Sequence, residues 1–357
     1  MTAIMSRNDD MVYAFAPHKF LTLPLGVWPL QKYNVCSAVR AFVCSFGLTV
    51  MMIMLFLEIF LGSVDTTVKL DSLMLMSCNI LSVLKLVFFR IYADNLIRNF
   101  TSAANDYLAV DTEEKRTIMR RHAFMGRMMC YSILFFAYFA ATIFGLLPVL
   151  AGGDDIQVNE SIKNQASELP MPLTCIFGNS SVPSSLYLAV STVQYVLLML
   201  NANGNCVLAS RHRYLIEHTE LLIDVISFVL LVQMLFSSIL ICIMGFQFIL
   251  ALKHHDVVTI TKTTTVLGAL LLQLFSYSFA GDYLKCQMEE VANSIYTCNW
   301  YNLPLKLMRN VAFAIMRSQQ PVQLLAGRFF VVNIETYMTI LKSSISYLSV
   351  LRVMVDT

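Results

Sequence analysis

The chain has 357 residues, of which 57% are hydrophobic and only 13% charged, with a formal net charge of +2. A soluble domain carries roughly 25% charged residues and must cover its surface with polar groups, so this composition excludes an ordinary soluble protein and calls for lipid as the solvent. So small a net charge gives no footing for nucleic-acid binding, and no nucleic-acid partner is expected.

A helix needs about 20 apolar residues to cross the hydrocarbon layer. Seven stretches meet this length: about Ala41–Gly62, Ser72–Phe89, Met128–Leu150, Ser184–Leu208, Val225–Leu252, Thr263–Gly281 and Phe329–Leu351. Asn201, Asn203 and Asn205 cluster late in the fourth, and threonines open the sixth, so these two are the least uniform. The first apolar run begins 40 residues in, without a short apolar core or a small-residue cleavage pattern. It does not read as a signal peptide, and the first helix is expected to stay and set the orientation.

Lys and Arg alternate between the segments that these crossings separate. In chain order the counts are four, one, seven, one, two, two and five, the seven being Arg90, Arg98, Lys115, Arg116, Arg120, Arg121 and Arg127. Short cytoplasmic loops hold the excess of positive charge, which places the amino terminus inside and the carboxyl terminus outside. A G-protein-coupled receptor also has seven helices, but in the opposite orientation. Reversal would export the seven basic residues and leave the loop of Asp154, Asp155, Glu160 and Glu168 in the cytoplasm. The sequons at Asn159 and Asn179 fall in the loop assigned outside, where they are candidate N-glycosylation acceptors, whereas Asn99 matches the motif on the inner side.

Chemistry-bearing motifs are sparse. The nine cysteines are scattered with no CxxC and no Cys/His ligand spacing, and Cys175 alone sits plainly in an outer loop. They read as small buried hydrophobes. His254-His255-Asp256 reads as a solvated loop, because adjacent residues on a helix do not converge on one metal. No phosphate loop, nucleophile elbow or paired intramembrane carboxylates occur, so neither catalysis, a cofactor nor a metal is expected. Glu58 and Lys85 lie near helix ends and are expected to snorkel to the interface. Lys342, midway along the last helix, shares a face with Glu335 about 10 Å away and suggests a water-accessible surface.

Before the last crossing, Leu305, Met308, Ala312 and Ile315 repeat at heptad spacing, with Lys306, Arg309 and Arg317 off that line. This is an amphipathic cytoplasmic helix, either packed on a protein partner or lying on headgroups, and Pro321 ends it. The final helix carries Thr336, Thr339, Ser343, Ser346 and Val350 at spacings of three and four, one helical face. Two readings stand on spacing alone. Hydroxyls can line a channel that a branched apolar residue closes by dewetting, or they can bind packed membrane helices together.

The stretch Leu271–Leu351 resembles the carboxyl-terminal region of the insect odorant receptors, in the form found in ants, bees and wasps. The matching features are a turn at Gly281, Trp300, Pro304, the Ser318-Gln319-x-Pro321 break, Ala326-Gly327 and the Ser/Tyr-rich final helix. One departure is visible. Only about 15 residues, 209–223, separate the fourth and fifth crossings where the family has a long cytoplasmic stretch, as expected of a shortened isoform or gene model.

The resemblance implies an all-α, seven-helix membrane protein in the plasma membrane of olfactory sensory neurons. It implies a non-selective cation channel gated by a small volatile ligand and assembled as a heterotetramer with an obligate coreceptor, surrounded by membrane lipid. Three regions follow: residues 1–282 with six crossings and an outer-half ligand bundle, 283–327 as a cytoplasmic anchor for subunit packing, and 328–357 as the pore-lining helix. Residues of suitable type at the depth of the family's odorant pocket are Met74, Phe139, Ile143, Leu146, Tyr187, Ser191 and Gln194. The resemblance favours the pore reading of Thr336, Thr339, Ser343, Ser346 and Val350, with Val350 at the closed constriction and Met354 one turn further out. The alternatives are a gustatory receptor of the same superfamily, with a different final-helix signature, and a solute transporter. A transporter would be expected to show inverted repeats with Gly/Pro-broken helices, and none is apparent.

Overall fold

The computed structural model describes residues 2–28, 30, 34–61, 66–93, 112–153, 189–203, 220–297, 301, 304–318, 324–327 and 329–356, with isolated positions between 97 and 109. The helices are α1 (Thr2–Thr22), α2 (Val35–Leu61), α3 (Thr66–Ile91), α4 (Glu113–Gly153), α5 (189–203), α6 (Glu220–His254), α7 (Val257–Thr297), α8 (Leu305–Ser318) and α9 (Ile334–Asp356). A short antiparallel hairpin, β1 (Leu325–Ala326) with β2 (Phe330–Val331), precedes α9. Five described helices are long and apolar enough to cross a membrane: α2, α3, α4, α6 and α7. The fourth and seventh expected crossings correspond to α5 and α9.

The helices bury a seam that is apolar with polar stitches. α3 packs on α2 and α6, α4 on α7, and α9 on α6 and α7. Along α3, Asn79 donates to the Leu48 carbonyl of α2 at 2.8 Å, and Ser82 donates to Asn201 of α5, at 2.6 Å to its Oδ1. In lipid a polar side chain has no water to turn to, so each such bond fixes which helix faces are neighbours. The expectation that Glu58 and Lys85 snorkel is overturned. Glu58 is 1% exposed and Lys85 0%, because both lie on the faces that α2 and α3 turn into the bundle.

Three boundaries also differ from the apolar runs. α4 and α7 are each 41 residues, well beyond the apolar core, because a helix continues past the membrane wherever no breaker stops it. Gly281 is no turn but lies inside α7, where its missing side chain admits the hairpin: a Cβ there would stand 1.9 Å from the Val332 carbonyl oxygen. The last helix starts at Ile334 rather than Phe329. Asn333 Oδ1 accepts the Thr336 N–H at 2.7 Å and Asp282 Oδ2 accepts the Ile334 N–H at 2.8 Å, two caps for otherwise unsatisfied donors. The turn of the hairpin needs Gly327, whose φ is +61° and whose N–H reaches the Ser227 carbonyl of α6.

The amphipathic segment is α8, packed on α7. Its inward line is Met308, Val311 and Ile315, whereas Leu305 and Ala312, placed on the heptad line, are exposed. Phe313 and Met316 are also exposed, leaving an uncovered apolar face.

The amino-terminal helix was not legible as such, and it docks along the start of α4 through charge. Asp10 accepts from Arg116 at 2.7 Å and from Arg120 at 2.7 Å, and the Arg127 guanidinium lies 3.8 Å from the Tyr13 ring centroid. Burial would raise the Asp10 carboxyl, but the hydrogen bonds from the two arginines outweigh it and hold the group below its ordinary value. A depressed carboxylate stabilises fully above its unfolded pKa and loses that contribution as pH falls through the folded one. Asp10→Asn is therefore expected to loosen α1 by about 1–3 kcal/mol at neutral pH. Hydrogen exchange checks it: α1 amides should lose protection while α6 and α7 keep theirs, and α1 of the parent should loosen only below the ordinary carboxylate range.

Candidate functional site

A cavity of about 110 Å³ lies where α3, α4, α5 and α7 converge. α3 contributes Met74, Leu75 and Cys78; α4 contributes Ile133, Ala137, Ala140, Ala141 and Phe144. α5 contributes Leu198, Asn201 and Ala202, and α7 contributes Val266, Ala269, Leu270 and Gln273. The space exists because α4 turns three alanines towards it, each too short to reach the opposite helices. Two amide side chains, Asn201 and Gln273, interrupt an otherwise apolar wall. That is the make-up of a site for a small apolar molecule with one hydrogen-bonding group. A dry apolar cavity of similar size, about 150 Å³, holds benzene.

Of the pocket residues named from sequence, Met74 lines this cavity. Gln194 is buried one turn from Leu198 on α5, and Ser191 is half-buried a turn further on. Ile143 is half-buried beside Phe144 but off the wall, and Phe139 is 46% exposed, stacked on Phe135 on the outer side of α4. Tyr187 and the Leu146 side chain lie outside the described residues, as do Asn159, Asn179 and Cys175. Sequence reading missed Phe144, Asn201 and Gln273. The available signal was an amide in an apolar span, which is costly unless it has something to bind.

His254-His255-Asp256 forms the tight turn between α6 and α7: His255 has a φ of 54°, and Asp256 Oδ1 accepts the Val258 and Thr259 N–H groups, capping α7. Among the described residues no group of three or more His, Cys, Asp or Glu side chains is placed to hold a metal.

α9 has two sides. Ser344 is 3% exposed, Tyr337 meets the Phe275 ring edge-on, and Leu348 packs where Gly245 of α6 leaves room. Thr339, Ser343, Ser346 and Val350 are all exposed, the first two bordering a groove of about 400 Å³ against Ser238, Ile239 and Cys242 of α6. The Thr339 hydroxyl donates to the Glu335 carbonyl and that of Ser343 to the Thr339 carbonyl, both at 2.9 Å, so each retains an accepting oxygen directed outward. Thr336 instead donates at 2.6 Å to the Val331 carbonyl, tying α9 to the hairpin. The Met354 side chain lies outside the described residues.

The family profile described as 7tm Odorant receptor matches residues 205–345. Among curated relatives, Odorant receptor 13a of Drosophila melanogaster is 30% identical over 41% of this chain and 37% of its own length. Odorant receptor 9a of the same fly is 32% identical over 34% of the chain, and the match spans 30% of its length. Odorant receptor 10 of Aedes albopictus is 20% identical over 91% of the chain and 95% of its length. The chain thus aligns with about a third of the length of the two fly receptors. In three dimensions the olfactory receptor OR5 of Machilis hrabei, solved in complex with eugenol, superposes with a TM-score of 0.75 at 14% identity, covering 96% of this chain and 99% of that one. The carboxyl-terminal part of the chain thus carries the odorant receptor profile, and its helices adopt the fold seen in an insect olfactory receptor.

Proposed function

We propose that the chain is the odorant-binding subunit of a ligand-gated, non-selective cation channel, assembled as a heterotetramer with an obligate coreceptor in the plasma membrane of olfactory sensory neurons. The observation that carries this reading is the apolar cavity with its two amides. The binding of eugenol by the structurally similar OR5 supports it. So does the hydroxyl face of α9, where Ser346 and Val350 are exposed and Thr339 and Ser343 border a groove with Ser238 and Cys242 of α6. The uncovered apolar face of α8 suits subunit packing. The amino terminus is cytoplasmic and the carboxyl terminus outside, following the Lys/Arg alternation. Asn159 and Asn179 are then outside and open to glycosylation.

In the assembly, Val350 from neighbouring α9 helices narrows the pore. Ions would lose hydration there without a replacement ligand. Odorant opens the channel by its difference in affinity for the open and closed states. Val350→Ser should raise resting current or alter permeability, and Ser346→Leu should reduce conductance, both measured with the coreceptor present. Parental behaviour of both variants would assign the stripe to lipid or to helix packing. An amino-terminal tag that stains without permeabilisation would refute the orientation.

A further inference from the structure

An ion pair lies one helical turn beyond the cavity, on two of the helices that line it. On α3, Asp71 stands one turn from Met74 towards the α6–α7 turn; on α7, Lys262 stands one turn from Val266 in the same direction. The Lys262 ammonium is 2.5 Å from Asp71 Oδ2. Gln247 of α6 donates its Nε2 to Asp71 Oδ1 at 2.7 Å. The same ammonium lies 4.1 Å from the centroid of the Phe144 ring, a wall of the cavity. One ion pair therefore joins α3 to α7, with α6 steadying the acid and α4 supplying the ring beneath the base.

We propose that Asp71–Lys262 is a latch that closes the cavity at the end nearer the α6–α7 turn, and that a small molecule passes between α3 and α7 there only when the pair opens. Phe144 is held by the cation above it, so its ring is free to swing aside only after the ammonium leaves. Each side chain of the pair is 14% exposed. Both charges keep an edge from which water can reach them, so separation does not strand a fully buried ion. A pair sealed completely from water would act as a fixed staple; this one is placed to open and re-form. Opening sets how often the cavity is accessible, which governs entry and exit alike rather than the affinity between them.

This inference rests on the cavity as ligand site, but its test needs no ligand, because Cys78 lines the cavity and is not in a disulfide. The full chain in lipid nanodiscs is exposed to methyl methanethiosulfonate, a small uncharged thiol reagent, and each cysteine is followed by mass spectrometry. Asp71→Asn and Lys262→Gln should each speed labelling of Cys78 at least threefold. The buried Cys44 and Cys130 and the exposed Cys36 should label at parental rates. Lys262→Arg should keep the parental rate, and the exchanged pair Asp71→Lys/Lys262→Asp should recover much of it. If a charge variant does not fold, Gln247→Ala, which removes one bond to Asp71 and neither charge, gives the same readout. Unchanged Cys78 labelling in the folded variants would overturn the latch, and so would equal acceleration at Cys44 and Cys130, which marks general loosening. Either result leaves the ligand-site reading standing. Conversely, a cavity that proves not to bind odorant would leave the control of access to Cys78 intact.

Discussion

Gly281→Ala is expected to prevent the receptor from folding into an extractable, monodisperse form. The new Cβ would meet the Val332 carbonyl oxygen at 1.9 Å, where real contacts essentially never fall below 3.0 Å. That oxygen belongs to backbone that cannot yield locally, since the Val332 N–H is bonded to the Leu324 carbonyl and the Val332 side chain is 1% exposed. Relief requires lifting the hairpin off α7, which also displaces the start of α9 and its caps. The cost is more than about 3 kcal/mol, at the upper end of overpacking effects. Gly268, on the same helix with nothing within 4 Å of where a Cβ would stand, is the control. Gly268→Ala should be neutral or stabilising by up to about 1 kcal/mol through helix propensity. Thermal melting of the detergent-extracted receptor checks both, and a parental melt for Gly281→Ala would show that the hairpin does not dock on α7.

Ala140→Phe is expected to abolish or strongly weaken odorant response while leaving the receptor at the cell surface. Ala140 is 8% exposed and lines the cavity, so an added ring occupies space of the order a small volatile would need. Loss of even part of the ligand's buried area, at about 25 cal/mol per Å², moves half-maximal concentration by about tenfold or more. Phe139→Ala, one residue earlier on the same helix, should matter little, because that ring faces outward against Phe135. Dose–response curves with the coreceptor present separate the two. Equal shifts at both positions would place the ligand elsewhere.

Much of the architecture was legible because lipid imposes a strong rule: an apolar run of sufficient length becomes a helix. The runs at Val225–Leu252 and Ser72–Phe89 fall within α6 and α3. What apolarity does not encode is where a helix stops outside the membrane, hence the underestimated α7 and the misread Gly281. Periodicity found the amphipathic nature of α8 and its inward Met308 and Ile315, but packing on α7 brought in Val311 and left Leu305 and Ala312 exposed. Buried Lys85 and Glu58 show the same limit, since distance along a helix says nothing about which way the helix is turned. The cavity depends on four helices meeting, and short side chains such as Ala137, Ala140 and Ala141 leave no mark in a sequence beyond their size. Asn201 did leave one, read only as an irregular crossing.

The most direct measurement is the whole-cell current of cells co-expressing this chain with an insect odorant coreceptor, recorded across a panel of small volatiles. A rapid inward cation current evoked by at least one apolar volatile with a single polar group is expected. That current should be absent when the coreceptor is expressed alone and lost in Ala140→Phe. Surface-expressed chain that gives no volatile-evoked current beside a functional coreceptor, or a response that Ala140→Phe leaves unchanged, would contradict it.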